Sequence, residues 1–213
     1  MSETVGVGVR CEGVVHIYPA SGEGLDDVVA LRGIDLDVAP GEFVSLLGPS
    51  GSGKSTVLGL LAGVLRPSAG RVLIGPHDVG RMAPRSLARL RGSVVALVLQ
   101  NPSRNLLAYA TARQNVAFAA GPSGRSPDEL LEGLGLAALA DRVTGRLSGG
   151  EQQCVAIAAA LSSGAKLVLA DEPTSPAASP TTSPIAKTLP CSAAVALRSV
   201  RGDTPTASSA ANS

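Results

Sequence analysis

The segment from Gly48 to Thr56, with the sequence GPSGSGKST, constrains this chain more than any other part of it. An apolar run at residues 43–47 precedes it, and a second apolar run at residues 57–65 follows it and is closed by Arg66 and Pro67. The order predicts a buried strand, a glycine-rich turn and a helix from about Lys54 to Leu65. Glycines free successive backbone N–H groups in such a turn, and the helix adds its positive end, so the turn can hold a phosphate group.

The spacing G-x-x-x-x-G-K-[ST] assigns individual roles within this loop. Lys54 is placed to reach the β- and γ-phosphates of ATP, and Ser55 to ligate Mg²⁺. The alternative is an ordinary glycine-rich turn, but a chain of this length matches the pattern by chance only about once in a hundred. The predicted cofactor-binding residues of the loop are Gly48, Ser50, Gly51, Ser52, Gly53, Lys54, Ser55 and Thr56.

Two adjacent carboxylates, Asp171 and Glu172, follow the continuous apolar run at residues 167–170. Such a run is typical of a strand buried on both faces of a parallel sheet. Asp171 is predicted to hold Mg²⁺ through water, and Glu172 to accept a proton from an attacking water. Adjacent carboxylates alone are more often solvated charge, but the preceding strand and the position after Lys54 favour the catalytic interpretation.

A second anion site is predicted in the sequence LSGGEQQ at residues 147–153. Ser148, Gly149 and Gly150 would stand at a helix N-terminus, where backbone N–H groups attract negative charge. One γ-phosphate does not need two such sites from one subunit. We therefore expect a head-to-tail pair in which this segment closes over ATP held by the other copy; the alternative is a plain helix cap followed by glycines.

Together, these three motifs resemble the ATP-binding subunits of ABC transporters, and the resemblance covers about residues 8–174. It implies an α/β fold: a P-loop NTPase core with a parallel sheet, an N-terminal antiparallel β sub-domain and a helical insert at about 101–146. It also implies that Tyr18 stacks on adenine and that Gln100 senses Mg²⁺, takes part in catalysis and couples to the membrane partner. Residues 106–116 look most like the lipoprotein-release and macrolide-export branch.

The resemblance implies ATP hydrolysis that drives a transmembrane permease, with the subunit as a homodimer or paired with a homologous subunit. It implies a cytoplasmic protein, peripheral on the inner face of the plasma membrane. The net charge of +1 and 2% aromatic residues argue against nucleic acid as a partner. No apolar run reaches the roughly 20 residues of a membrane helix, so direct membrane insertion is not expected. ABC proteins of translation or DNA repair usually carry two cassettes or a long coiled-coil insertion, neither of which this sequence shows.

The sequence departs from the family pattern within the helix after LSGGEQQ. Cys154 and Ala159 stand where the family usually has arginines, which predicts a weakened but formed helix. After residue 174 the family continues with a seam loop and a histidine that contacts the γ-phosphate, whereas His16 and His77 both lie upstream.

Residues 175–213 differ in composition from the rest of the chain, because 27 of these 39 residues are Ser, Thr, Pro or Ala. The sequence predicts an ABC-type domain at 1–174 that is incomplete at its C-terminal end, followed by a low-complexity, disordered tail. Because the codons of these residues are rich in C and G at their second base, a frameshift product is the sharper hypothesis. The alternative function is then a truncated remnant that binds ATP without hydrolysing it.

Overall fold

The structure is a computed structural model, and it describes residues 6–20, 22, 26–122, 125–171 and 193–199, the last range as a strand backbone only. The strands are β1 Val9–Tyr18, β2 Val28–Val38, β3 Phe43–Gly48, β4 Ala69–Ile74, β5 His77–Asp78, β6 Val95–Val98, β7 Leu167–Asp171 and β8 Ala193–Ser199. The helices are α1 Lys54–Leu61, α2 Pro84–Ser93, α3 Ala112–Ala119, α4 Pro127–Gly133 and α5 Gly149–Ser162. Short 3₁₀ turns at 79–81, 102–104, 137–139 and 144–146 complete these described ranges.

Four strands form an antiparallel sheet in the order β2-β1-β4-β5. The predicted antiparallel β region before the phosphate loop is present, and β4 and β5 join it from beyond α1. Alternate residues of β1, among them Val9 and Cys11, are buried against a core that also holds α1 residues such as Leu60 and Leu61. The sheet therefore forms one wall around the helix that follows the phosphate loop.

The second sheet is parallel, in the order β3-β8-β7-β6. Leu167 and Leu169 of β7 pack into the α1 core, whereas Val168 packs into a second core with α5. Strand β7 is thus buried on both faces, as its continuous apolar sequence predicts. This architecture confirms the predicted α/β fold class.

Helix α1 ends four residues earlier than the sequence predicts, at Leu61. Gly63 has φ of 63°, and the backbone N–H groups of Val64 and Leu65 both donate to Gly59 O, at 2.9 and 3.0 Å. These bonds close the helix with a left-handed residue, so the apolar residues beyond it cannot continue the α-helix.

The predicted helical insert contains α3 and α4 together with 3₁₀ turns. The spacing of Thr111 with Gln114 and of Ser126 with Glu129 predicts a capping box at the start of each of these helices. Thr111 and Gln114 form one at the start of α3. The prediction at Ser126 and Glu129 is wrong: Ser126 is the N-cap of α4 but makes no side-chain cap bond. Pro127 occupies the first helical position, where its fixed φ already favours the helix start.

Strand β8 differs from the prediction of a disordered tail at residues 193–199. It pairs in parallel with β3 on one side and β7 on the other, and the register joins Phe43 to Ala194 and Val168 to Ala194. The segment has seven residues, among them three alanines, a valine and a leucine, and it can pair inside a sheet through its backbone even though it offers few large side chains. The remainder of 175–213 lies outside the described residues.

Candidate nucleotide-binding site

The phosphate loop runs from the end of β3 at Gly48 to the start of α1 at Lys54, as predicted. Gly51 and Gly53 have φ of 80° and 88°, a left-handed backbone that disfavours residues with a Cβ. At Gly53 a Cβ would also lie 2.7 Å from Leu31 Cδ2 and 2.8 Å from the carbonyl oxygen of Ala30. The last turn of the loop is therefore pressed against β2 and requires glycine at this position.

The ammonium group of Lys54 crosses the loop and donates to the carbonyl oxygens of Gly48 and Pro49, at 2.9 and 2.7 Å. Helix α1 begins without a side-chain cap and without an acidic residue in its first turn. Helices α3 and α5 begin with a complete capping box, whereas α2 and α4, like α1, make no side-chain cap bond. What distinguishes the start of α1 is the positive charge of Lys54 beside its first amides, which together favour a negatively charged group there.

The residues predicted to hold Mg²⁺ gather at one edge of the parallel sheet. Strands β3, β6 and β7 point the same way, so Gly48, Gln100 and Asp171 all lie at or just beyond their carboxyl ends. Asp171 of β7 and Leu46 of β3 lie in the same register row of the sheet, with β8 between them. Strands β7 and β3 are two strand spacings apart, which is about 10 Å. The exposed hydroxyl of Ser55 and the half-buried carboxylate of Asp171 offer the oxygen ligands that Mg²⁺ prefers.

Gln100 is exposed just after β6, and both Gln100 and Asp171 have further interactions within the chain. Glu172, the predicted base, lies outside the described residues, as do Pro173 and Thr174. Its neighbour Asp171 is the last residue of β7. Ser50, Gly51 and Ser52 are exposed in the loop, and Thr56 is buried at the start of α1.

Tyr18, the predicted adenine-stacking residue, ends β1 with 40% of its surface exposed. Its hydroxyl lies 3.3 Å from Thr56 Oγ1. Tyr18 therefore lies beside the first turn of α1, which also contains Lys54 and Ser55. The ring of His16 packs against Tyr18 edge-on, with centroids 4.6 Å apart. His16 is buried and its Nδ1 bonds to the carbonyl oxygen of Arg66 at 2.9 Å. The one sequence signal for this support of Tyr18 is the spacing of two rings two residues apart on a strand.

The LSGGEQQ segment forms the cap and first turn of α5. Ser148 Oγ accepts from the backbone N–H of Glu151 at 3.4 Å, and Glu151 Oε2 accepts from the backbone N–H of Ser148 at 2.6 Å and from its hydroxyl at 2.8 Å. These bonds hold the pKa of the Glu151 carboxyl below its usual value. Ser148, Gly149 and Gly150 are exposed, so this helix N-terminus faces outward with its glycines uncovered.

The substitutions at Cys154 and Ala159 leave α5 intact over its 14 residues. Cys154 is half-buried against the second core, and burial raises the pKa of its thiol. Ala159 is buried and lines a groove of about 220 Å³ between α2, β6 and α5. The helix therefore forms as predicted, with free volume beside Ala159.

No helix within the described ranges is both long enough and apolar enough to cross a lipid bilayer.

A model of the ABC transporter family matches residues 31–175. Among curated proteins, the macrolide export ATP-binding/permease protein MacB of Marinobacter nauticus is 46% identical over 160 residues, which is 72% of this chain and 24% of that protein. The lipoprotein-releasing system ATP-binding protein LolD 2 of Caulobacter vibrioides is 46% identical over 155 residues, 70% of this chain and 67% of that protein. The chain thus spans about a quarter of the MacB protein and two thirds of the LolD protein.

Among solved structures, the dimeric, post-hydrolysis state of the ATP-binding cassette MJ0796 bound to ADP and Pi superposes with a TM-score of 0.74. It is 31% identical and the match covers 89% of this chain and 87% of that one. The sequence, fold and carboxyl-edge site agree with the predicted family and branch. The chain belongs to the ABC transporter family, in the branch of the LolD and MacB proteins.

Proposed function

We propose that this chain binds MgATP between two copies of itself or beside a homologous subunit, hydrolyses it, and couples the cycle to a transmembrane permease. One observation carries the proposal: an uncapped helix start with Lys54 beside it opens at the carboxyl edge of a parallel sheet, where Asp171 also lies.

In this proposal the loop amides and Lys54 bind the polyphosphate, and Ser55 and Asp171 hold the metal with Gln100. Mg²⁺ neutralises phosphate charge when bound and so favours displacement at the γ-phosphorus. The two carbonyl bonds of Lys54 keep its ammonium over the loop before nucleotide arrives, which lowers the entropic cost of binding. Tyr18 receives the base, and Glu172, next along the chain from Asp171, accepts the proton of the attacking water.

The facing subunit completes the site through Ser148, Gly149 and Gly150. The exposure of these residues supports this role, because a helix N-terminus that faces outward can contact a phosphate group held by another subunit. The Ser148 hydroxyl, which donates to Glu151, would turn its proton toward the γ-phosphate on closure. The MJ0796 cassette, which is similar to this chain, is described as a dimer.

The permease is proposed to dock on the helical insert, near Gln100. Two large aromatic residues are strongly exposed there: Tyr109 at 80% and Phe118 at 81%. Exposed aromatic residues are favoured at protein interfaces because they bury much area with few rotatable bonds. This contact would hold the chain at the inner face of the plasma membrane.

We further propose that turnover by this chain is slow. His16 is buried on the carbonyl of Arg66, and His77 pairs with Ile74 in the antiparallel sheet, so neither serves as the γ-phosphate contact of the family. Losing one transition-state donor typically costs about 3 to 4 kcal/mol. The segment 175–213 is proposed to be read out of frame. Translation of the same DNA past codon 174 in the other two frames should then yield a loop with Asp followed by a histidine. If neither frame contains them, the frameshift proposal is rejected.

The test of binding compares Lys54→Ala with Lys166→Ala. Lys166 is exposed just before β7, at the opposite edge of the same sheet, so its loss is a matched charge control. Nucleotide affinity should fall in the first variant only; equal affinity in both overturns the phosphate-loop assignment.

A second test addresses hydrolysis and pairing. Glu172→Gln should remove whatever ATPase activity the parent shows, and unchanged turnover would exclude Glu172 as the base. A Ser52→Cys, Ser148→Cys double variant should cross-link between copies only when ATP is added. Failure to cross-link would exclude the head-to-tail pair.

A further inference from the structure

Two polar side chains, Asn115 and Thr144, are buried inside the helical insert, with 5% and 1% of their surfaces exposed. Asn115 accepts from the backbone N–H of Leu107 at 2.7 Å and donates to the carbonyl oxygens of Leu107 and Thr111, at 3.1 and 3.0 Å. It also lies 3.2 Å from Thr144 Oγ1, whose hydroxyl is within 2.8 Å of Leu107 O and 3.0 Å of Ala110 O. Both side chains therefore hold the same loop, residues 105–111.

This loop is tied at its first residue to the strand that leads to Gln100. Asn105 accepts from the backbone N–H of Leu99 at 2.9 Å and donates to the carbonyl of Leu97 at 2.8 Å. Leu99 immediately precedes Gln100, the proposed metal and permease contact. The backbone just before Gln100 is thus hydrogen-bonded to the first residue of the loop.

At its other end the loop is tied to the LSGGEQQ segment. The backbone N–H groups of Thr144 and Gly145 donate to Ala110 O and Ala108 O, both at 2.9 Å. From α5, Gln152 Nε2 then donates to the carbonyl oxygens of Thr144 and Leu147, at 3.0 and 3.1 Å. Leu147 directly precedes Ser148, so the bonds reach the cap that is proposed to seal the facing site.

We propose that Asn115 and Thr144 are positioning residues that lock the loop 105–111 to the LSGGEQQ segment, so that a shift at Gln100 moves Ser148. The inference rests on the proposed function, because Gln100 serves the subunit's own nucleotide and Ser148 the nucleotide of the facing subunit. The lock links these two half-sites within one chain. Its polar character fits this role, since buried hydrogen bonds fix one register where apolar packing would allow sliding.

A merely structural role would be to hold the insert in place, and one buried hydroxyl at the end of α5 does that alone. Ser162 Oγ, fully buried, donates to Val116 O at 2.7 Å and joins the far end of α5 to α3. It contacts neither the loop 105–111 nor the α5 cap through the bonds described. Ser162→Ala is therefore the matched control for Thr144→Val, since each removes one buried hydroxyl that donates to a backbone carbonyl oxygen of the insert.

The experiment measures ATP-dependent dimerisation by analytical ultracentrifugation in a Glu172→Gln background, together with ATP affinity and urea denaturation of each variant. Thr144→Val and Ser162→Ala should lose similar stability and keep the parent's ATP affinity as monomers. Dimerisation should weaken roughly 5- to 150-fold in Thr144→Val alone, the range of typical coupling between sites. Thr144→Ser, which keeps the hydroxyl, should restore it.

Equal dimerisation of Thr144→Val and Ser162→Ala overturns the lock while leaving the proposed function intact. A parent that does not dimerise with ATP overturns the proposed pairing of two copies and the lock together, and this is seen before any variant is compared. If Thr144→Val does not fold, Gln152→Met replaces it, because Gln152 is only half-buried and its amide forms the last link to Leu147. The same selective loss is then expected, and unchanged dimerisation again rejects the lock.

Discussion

Substitution of Gly53 by alanine is the sharpest test of the phosphate-loop geometry. Its φ of 88° places the residue in the left-handed region, which costs a residue with a Cβ about 1 to 2 kcal/mol. The new Cβ would also lie 2.8 Å from the carbonyl oxygen of Ala30 and 2.7 Å from Leu31 Cδ2. The leucine methyl can rotate away, but the carbonyl belongs to β2 and moves only with its strand.

Displacing that strand or the loop is comparable to overpacking a core, which costs about 1 to 3 kcal/mol. The sum for Gly53→Ala is therefore about 2 to 5 kcal/mol. Gly51→Ala is the matched control: its φ is 80°, but a Cβ there meets nothing within 4 Å. Only the backbone cost of about 1 to 2 kcal/mol applies to it.

The two variants should be compared by urea denaturation and by equilibrium binding of ATP. We expect Gly53→Ala to lose more stability than Gly51→Ala and to bind ATP more weakly, since the first amides of α1 shift with residue 53. Equal losses in both assays would show that contact with β2 does not shape the loop. Stronger binding by Gly53→Ala would refute the anion site itself.

Three further outcomes follow from the site. Tyr18→Ala should weaken ATP binding by roughly 5- to 150-fold, because stacking on a base is worth about 1 to 3 kcal/mol, whereas Tyr18→Phe should bind like the parent; equal affinities of all three would exclude stacking. Glu151→Gln should strengthen ATP-dependent dimerisation measured by ultracentrifugation, because in the parent the Glu151 carboxylate accepts the hydrogen bond of the Ser148 hydroxyl. Weaker dimerisation would contradict this. Burial raises the pKa of the Cys11 thiol from 9.0 to about 11, so the folded protein binds the thiol proton more tightly than the unfolded chain. The free energy of unfolding should therefore fall as pH rises from about 9 to 11. Cys11→Ala should flatten that slope in pH-dependent denaturation.

The sequence predicted the local strand, loop and helix order around Lys54 better than it predicted the ends of the elements. Gly53, Lys54 and Ser55 were assigned because the loop works through local backbone geometry, which glycine spacing reports directly. The cap at Ser148 was found for the same reason, since an N-cap and its partner lie three residues apart. Local chemistry of this kind is visible in one stretch of sequence.

The errors concern the end of one helix and interactions between distant segments. Helix α1 was extended past Leu61 because its apolar residues continue, yet Gly63 ends it by adopting φ of 63°. The lock of Asn115 and Thr144 joins residues 29 positions apart, so no spacing rule reveals it. Strand β8 was missed because its pairing is made by backbone groups, whereas its composition is typical of a disordered segment.

The two faces of the parallel sheet are unevenly covered by helices, and this bears on the proposed nucleotide binding. On the face where α5 buries Val168, the register places Phe43 of β3 in the same row, with Leu47 on that face further along. Phe43 and Leu47 are nevertheless 44% and 64% exposed, so α5 does not reach β3. The opposite face of β3 packs on the α1 core through Val44 and Leu46. The phosphate loop is shaped by this packed side and by β2, so the proposed nucleotide binding does not depend on the uncovered face.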